Sequence, residues 1–513
     1  MKLLGIIAVL VAGLTSTAAQ AEWMEASGKH FIVYSDTSES KIRDYAEHLE
    51  RFDAVLRMIT SLPETDGAGH NRVTVYVLPG ISDVREMARN QNVAGYYTPS
   101  VQGSFAFMPM RIANSSIDPM AVMLHEYAHH ITLSNSTEAY PRWVTEGMAE
   151  FFMTARIRSD GSVVIGAPNM GRKYELGSFN PLSAKDLVEN DGRNLPPMNM
   201  GELYARGWLL IHYLFLGGER DGQLSKFIEL LNSGTPSAEA GEKAFGDLDA
   251  LSRDLNRYGR RSSLPAVVVK DDQIKVGAIT VRRMRDGEAA IMKLRMRSAA
   301  GVTKEEAPEL VPEARRVAAL YPRDPFVART LSEIEFDAQN YDAAEAAADR
   351  ALSLQPDMVM ALVYKGRVEA SRARQQTERA TRAAHWKLAR SWFVKANRSD
   401  PDFALPLELY YDSFVQAGEI PPKIAVTGIM RAIQLVPQAP GLHIRVAAEL
   451  VRERDFATTR AVLAPLAFNP HADTDNNPAR AIVELIDSHA QADAIIEAMR
   501  KAKWIDGVSE GGE

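Results

Sequence analysis

Met120-Ala121-Val122-Met123-Leu124-His125-Glu126-Tyr127-Ala128-His129-His130-Ile131 is the stretch whose reading decides the fold. Asp118 suits a helix cap and Pro119 a first turn, so the helix start is well signalled. Positions 125 and 129 are one turn apart, so both imidazoles reach a shared metal ion from one face. Glu126, beside the first histidine, can point at a water on that ion. This H-E-x-x-H spacing is that of zinc held by two histidines with a glutamate as general base. Met120, Ala121, Val122 and Leu124 are apolar and place the polar cluster in a dry setting. The bare pattern arises by accident in a chain this long about once in a hundred, so the surrounding sequence has to carry the assignment.

The next informative segment is Tyr140–Phe152. Pro141 can open a second helix, Glu146 lies 17 positions past His129, and Glu150 lies one turn beyond Glu146. Two histidines and one carboxylate leave the fourth position of tetrahedral zinc to water, as a catalytic site requires. Glu150 is placed to accept the spare N–H of a ligand histidine and fix its tautomer.

At these residues the chain resembles the gluzincin metallopeptidases, the peptidase MA-like group. Their H-E-x-x-H is followed by a helix reading W-x-x-E-G-x-A; here the two segments read HEYAH and WVTEGMA. The resemblance implies an α+β zincin-like catalytic domain, zinc on His125, His129 and Glu146, and Glu126 as base. Gluzincin aminopeptidases also carry a Y-x-x-G helix start whose tyrosine stabilises the oxyanion, and Tyr204 of Tyr204-Ala205-Arg206-Gly207 stands in that place. The resemblance covers about residues 30–260, with three motifs in order. The gap between second histidine and glutamate is slightly shorter than in the aminopeptidases. Their G-x-M-E-N motif, which grips the substrate's amino terminus, is absent; Gly103-Ser104-Phe105-Ala106-Phe107 is the nearest stretch. The implied activity is therefore peptide-bond hydrolysis on a peptide or protein substrate, with endo- or exo-specificity open. Two rivals also stay open: a non-catalytic binding scaffold, and a zinc hydrolase of a non-peptide amide.

Composition sets the frame. The chain has 513 residues, enough for two to four domains, and a net charge of −7 argues against nucleic acid as the main partner. Lys2, the apolar run Leu3–Leu14 and Ala19-Gln20-Ala21 before Glu22 read as a cleaved secretory signal over 1–21. That run is too short to span a bilayer, so the expectation is a periplasmic or secreted protein with no stable membrane anchor after cleavage. With no cysteine, the chain is neither disulfide-stapled nor a cysteine-anchored lipoprotein.

Within the expected catalytic domain, 22–262, His30–Ser35 and Arg72–Leu78 read as strands and Glu39–Ile59 as an amphipathic helix. Asp83–Asn90 reads as a short helix. Gly95–Tyr97 and Gly103–Met108 read as paired strands. The gluzincin resemblance implies a sheet whose edge strand hydrogen-bonds an extended peptide, for which Gly103–Met108 is the candidate, with Gly103, Ser104 and Phe105 as substrate contacts; an ordinary hairpin is the other reading. A hairpin follows over Thr154–Ala167, turning at Asp160-Gly161, and then a loop over Pro168–Met200. Helices resume over Tyr204–Leu216, Leu224–Asn232, Ala238–Phe245 and Leu248–Tyr258. His130 and His212 read as core histidines, and Arg142 and Arg206 as surface or supporting side chains. Residues 263–300 read as a small β linker module, with strands at Val267–Val269, Lys275–Val281 and Ala289–Met296.

From 301 to 500 the chain is helical and repetitive. Pro322, Pro356, Pro401, Pro437 and Pro470 recur at intervals of 34, 45, 36 and 33. A period near 34 resembles a tetratricopeptide helix–turn–helix solenoid, here of about four repeats. Small residues stand twelve and five positions before the proline in three copies: Ala344/Ala351, Ala389/Ala396 and Ala425/Ala432. The long interval implies a helix extension near Arg372–Ala384. The resemblance implies a concave surface for a protein or peptide partner. Residues 501–513 read as an acidic tail.

Overall fold

The structure is a computed structural model that describes residues 22–62, 71–91, 93–112, 118–135, 140–176, 182–190, 200–469 and 476–505. The expected signal segment, the end of the acidic tail, Pro470 and parts of the 168–200 loop lie outside the described residues. Among the described residues no helix is long and apolar enough to cross a membrane.

A six-stranded mixed sheet organises the N-terminal half. Its strands are β1 (Trp23–Ser27), β2 (Phe31–Asp36), β3 (Val73–Leu78), β4 (Tyr96–Thr98), β5 (Phe105–Pro109) and β9 (Thr280–Arg283), in the order β4-β5-β3-β2-β1-β9. β2, β3 and β5 run parallel, while β4, β1 and β9 pair antiparallel with their neighbours. The central strands are buried on both faces and so read as near-continuous apolar runs. Val33, Val75, Val77, Ala106 and Met108 face α1 (Glu39–Thr60) and the metal-motif helix α3 (Pro119–Asn135). Tyr34, Tyr76 and Phe107 stack on the opposite face, beside α2 (Ile81–Ala88).

α3 starts where expected, with Asp118 Oδ1 accepting from the Met120 N–H at 2.9 Å. A buried polar contact ties it to α1: the Tyr127 hydroxyl donates to Asp53 Oδ1 at 2.7 Å, and Asp53 also pairs with Arg57. α4 (Arg142–Phe152) follows, then the hairpin β6 (Arg156–Ile157) and β7 (Val163–Ile165). The stretch expected as an unstructured loop holds two short helices, α5 (Met170–Glu175) and α6 (Ala184–Asn190). Asn169 caps α5 by accepting from the Arg172 N–H at 3.2 Å, so a local cap substitutes for apolar periodicity. α7 (Met200–Leu216), α8 (Gln223–Asn232), α9 (Ser237–Phe245) and α10 (Leu248–Gly259) complete this half.

Two expectations are corrected. Gly103–Met108 is not the sheet edge: β5 lies between β3 and the three-residue β4, which takes the terminal place. Ser104 has no exposed surface and Phe105 packs among the aromatic residues of the second face. The strands over 263–300 do not pair with one another. β8 (Val267–Val269) joins β7, and β9 joins β1. Ala289–Met296 is helical, inside α11 (Asp286–Ala299). Its apolar residues mimic alternation because the helix is covered on two sides: Met292 and Met296 meet the sheet, while Ile291 and Leu294 meet the helices beyond.

The C-terminal half is built from helices packed against their sequence neighbours: α12 (Ala307–Leu320), α13 (Pro325–Asp337), α14 (Tyr341–Leu354), α15 (Val359–Gln375), α16 (Arg379–Ser399), α17 (Ala404–Val415), α18 (Lys423–Leu435), α19 (Pro440–Arg452), α20 (Phe456–Ala467), α21 (Pro478–Asp487) and α22 (Ala492–Lys501). Pro322, Pro356, Pro401 and Pro437 each stand two residues past a helix end, where a ring that cannot continue the helix is tolerated. Ala344, Ala351, Ala389, Ala396, Ala425 and Ala432 all have no exposed surface, so the small-residue pattern marks helix-to-helix packing. The long interval is taken up by the extended α15 and α16, of 17 and 21 residues.

Besides α11, the two halves meet at the β4–β5 loop and at Asn71. Val101 packs against apolar clusters of the array, and Gln438 Nε2 donates to Ser104 Oγ at 3.1 Å. Asn71 Nδ2 donates to Gln438 Oε1 at 3.1 Å. A charge at position 101 opposes that burial. Val101→Asp is therefore expected to accelerate amide exchange across 96–109 by about tenfold or more, read by hydrogen-exchange mass spectrometry. Unchanged exchange there would contradict the docking.

Candidate metal centre

The ligand set rests on two neighbouring helices. α3 presents His125 and His129, and α4 presents Glu146 from a position with no exposed surface. The two Nε2 atoms stand 3.1 Å apart, and Glu146 Oε2 lies 3.6 Å from His125 Nε2 and 3.5 Å from His129 Nε2. Tetrahedral zinc with bonds of about 2.0–2.2 Å has ligand atoms about 3.3–3.6 Å apart along its edges. The 3.5 and 3.6 Å separations fall on such edges and the 3.1 Å one is slightly shorter, so the donor set fits a metal ion of this size. The rings are nearly perpendicular, at 81°, which lets both nitrogens converge.

α7 crosses α4 closely enough to complete the site. A Cβ built on Gly147 would lie 2.6 Å from the Gly207 carbonyl oxygen, and one on Gly207 would lie 2.9 Å from the Trp143 carbonyl oxygen. Only glycine at both positions permits this backbone approach. Glu146 precedes one glycine and Tyr204 sits one turn before the other, so the crossing brings the two side chains together. The Tyr204 hydroxyl is pushed well up, by burial first and then by Glu146.

The charges here are strongly coupled. Burial raises the Glu126 carboxyl; His129 pulls it down and Glu146 adds to the rise. Burial works against a charged His129, but Glu146, Glu126 and Glu150 outweigh it and the imidazole is raised. Glu150 Oε1 faces His125 Nδ1 at 3.7 Å, beyond hydrogen-bond range. Its carboxylate instead accepts from Arg172 Nη2 at 2.6 Å and Asn169 Nδ2 at 2.9 Å. The Arg172 guanidinium also lies over the Tyr204 ring, 5.0 Å from its centre. Neither Asn169 nor Arg172 was singled out in the sequence. The signal was the cap pair Asn169-x-x-Arg172, hidden in a stretch without apolar period.

The remaining histidines on these helices pack as expected. His130 is buried, stacks on Tyr127 and shares a 2.6 Å hydrogen bond with the Tyr97 hydroxyl; burial depresses it to about 3. His212 lies between the Tyr258 hydroxyl and the Gly166 carbonyl, each at 2.9 Å. Arg206 is held by Glu202 and Asn256. Tyr97 belongs to β4, so the terminal strand runs beside α3.

A family model described as "Protein of unknown function (DUF1570)" matches residues 120–237, from the start of the metal-motif helix into α9. No curated protein matches the chain. Among solved structures, the chain is similar to one described as "MamA RS-1 ArsTM double mutant", at 18% identity over 35% of this chain and 92% of that one, with a TM-score of 0.26.

The glycine crossing makes a direct prediction. Alanine gains about 1 kcal/mol over glycine in a helix, but forcing a methyl into a closed contact costs about 1–3 kcal/mol or more. Gly147→Ala and Gly207→Ala are each expected to lower the thermal midpoint and to weaken whatever metal binding the site has, read by calorimetry and competitive chelation. Unchanged values for both would contradict the packing account.

Proposed function

We propose that the chain is a zinc-dependent peptidase with a zincin-like catalytic domain of the gluzincin kind, followed by a tetratricopeptide-like array. The observation that carries this reading is the tetrahedral spacing of His125, His129 and Glu146, with Glu126 and Tyr204 against the same centre. Zinc, when bound, supplies a Lewis acid that acidifies water and polarises a carbonyl. Glu126 takes a proton on its carboxylate as water attacks the peptide carbon, and returns it to the leaving amine. Burial, by raising this carboxyl, makes it a stronger base. The Tyr204 hydroxyl keeps its proton and donates it as a hydrogen bond to the developing oxyanion. Arg172, holding Glu150 and lying over Tyr204, fixes both groups from behind. The substrate is a peptide or protein, and the array offers a surface for a protein partner. The location that fits a cleaved signal segment is the periplasm or the cell exterior.

The test uses purified full-length protein, zinc analysis and a fluorogenic peptide library. One zinc per chain is expected, lost on chelation and in His129→Ala. Glu126→Gln is expected to keep zinc and lose about 10²–10⁴ in rate, and Tyr204→Phe about 10²–10³. A wild-type protein that binds no zinc ends the site assignment. Cleavage undiminished in Glu126→Gln ends the mechanism. Zinc binding without cleavage of any peptide favours the scaffold reading.

A further inference from the structure

On the side of the sheet away from the metal centre, a cleft of about 320 Å³ lies between the second sheet face, the β4–β5 loop and helices α11, α13 and α15. Its volume falls at the lower end of small-molecule sites. Its walls are unusually charged. Arg295, Arg329 and Arg367 line it together with Glu333 and Asp337. Among the described residues one ion pair joins these five, Arg329 Nη1 to Glu333 Oε2 at 3.1 Å, and it lacks hydrogen-bond alignment. Arg295, Arg367 and Asp337 form no ion pair among the described residues.

Each of those groups is held ready by neutral contacts. Arg295 lies over the rings of Tyr34 and Phe326, at 5.6 and 4.9 Å, and its Nη1 has no hydrogen-bond acceptor among the described residues. Arg367 lies over Phe336 and Tyr364, at 5.6 and 5.4 Å. Glu333 is 7% exposed, and its Oε2 accepts no hydrogen bond among the described residues. Glu333 and Asp337 stand one turn apart on α13, a like-charge spacing that is unfavourable by itself. Ser298 Oγ lies 3.3 Å from Glu333 Oε1 and 2.9 Å from Asp337 Oδ2, so its single proton bridges the two carboxyl groups. Burial, then Glu333, pushes Asp337 up to about 6, as expected of an acid that wants a cation beside it.

We infer that this cleft binds a small zwitterion, a free amino acid or short peptide, whose carboxylate meets Arg295 and Arg367 and whose ammonium meets Glu333 and Asp337. Charges of both signs line one cleft, and the buried Arg295 Nη1 and Glu333 Oε2, which make no hydrogen bond among the described residues, favour a ligand carrying both signs that completes them. The site is separate from the metal centre and independent of any activity there. Because Ser100, Gln102 and Gly103 of the β4–β5 loop form one wall, occupancy also touches the loop that leads to the strand beside α3.

The experiment titrates full-length Glu126→Gln protein, in chelator, with the twenty free amino acids and a dipeptide panel, by thermal shift and then calorimetry. At least one compound is expected to bind with a saturable shift. Its N-acetylated, C-amidated analogue is expected to bind at least about tenfold more weakly, and Arg367→Met and Asp337→Asn each to cost about tenfold or more. No binding by any compound up to about 10 mM overturns the inference. So does equal binding of the blocked analogue, which needs no variant to fold. Binding that survives unchanged in both variants lies elsewhere and also overturns it.

Discussion

Backbone contact between α4 and α7 is the constraint on which the site depends. Helices normally pack with side chains between them, at about 8–10 Å. Here Gly147 and Gly207 remove the side chains at the crossing, and carbonyl oxygens of one helix meet the Cα positions of the other. The residues beside those glycines include Glu146 of the candidate metal centre and Tyr204, which lies against it. Separating the helices by one methyl would move the carboxylate away from the two imidazoles of α3 or the hydroxyl away from the carboxylate. Geometry at metal ions tolerates little of either.

A second constraint ties the site to the rest of the chain. α3 is anchored through Tyr127 to Asp53 of α1, and α1 packs on the first face of the sheet. The second face carries stacked tyrosines and phenylalanines and is covered by α11, whose other side meets the array. The array in turn holds the β4–β5 loop through Val101 and Gln438. Contacts thus link sheet, α3 and helical array, and the terminal strand β4 touches α3 through Tyr97 and His130.

Much of this was legible from residues. Period-3.6 patterns placed α1, α7, α8 and α10; the one-turn spacing paired His125 with His129, and the gluzincin resemblance supplied Glu146 as the expected third ligand. The prolines and the six buried alanines marked the helical hairpins because each has a local cause, a ring that stops a helix or a small side chain that lets two approach. What was hidden has a different physics. α5 depends on a polar cap, so Asn169 and Arg172 carried no apolar signal. α11 is buried on two sides, which erases the stripe of an amphipathic helix and leaves an alternation like that of a strand. The pairing of β4 with β5 was legible, but that β3 takes the other side of β5 and leaves β4 at the edge is a matter of strand order, which no local pattern carries. The glycines stood in the motifs, but their contact with each other is a tertiary fact.

Zinc K-edge absorption spectroscopy on the loaded full-length chain tests the central claim most directly. A first shell of about four N/O neighbours near 2.0–2.1 Å, with outer-shell scattering from two imidazoles that disappears in the His125→Ala, His129→Ala double variant, is the result this geometry requires. A shell without imidazole, or one that the double variant leaves unchanged, would contradict it.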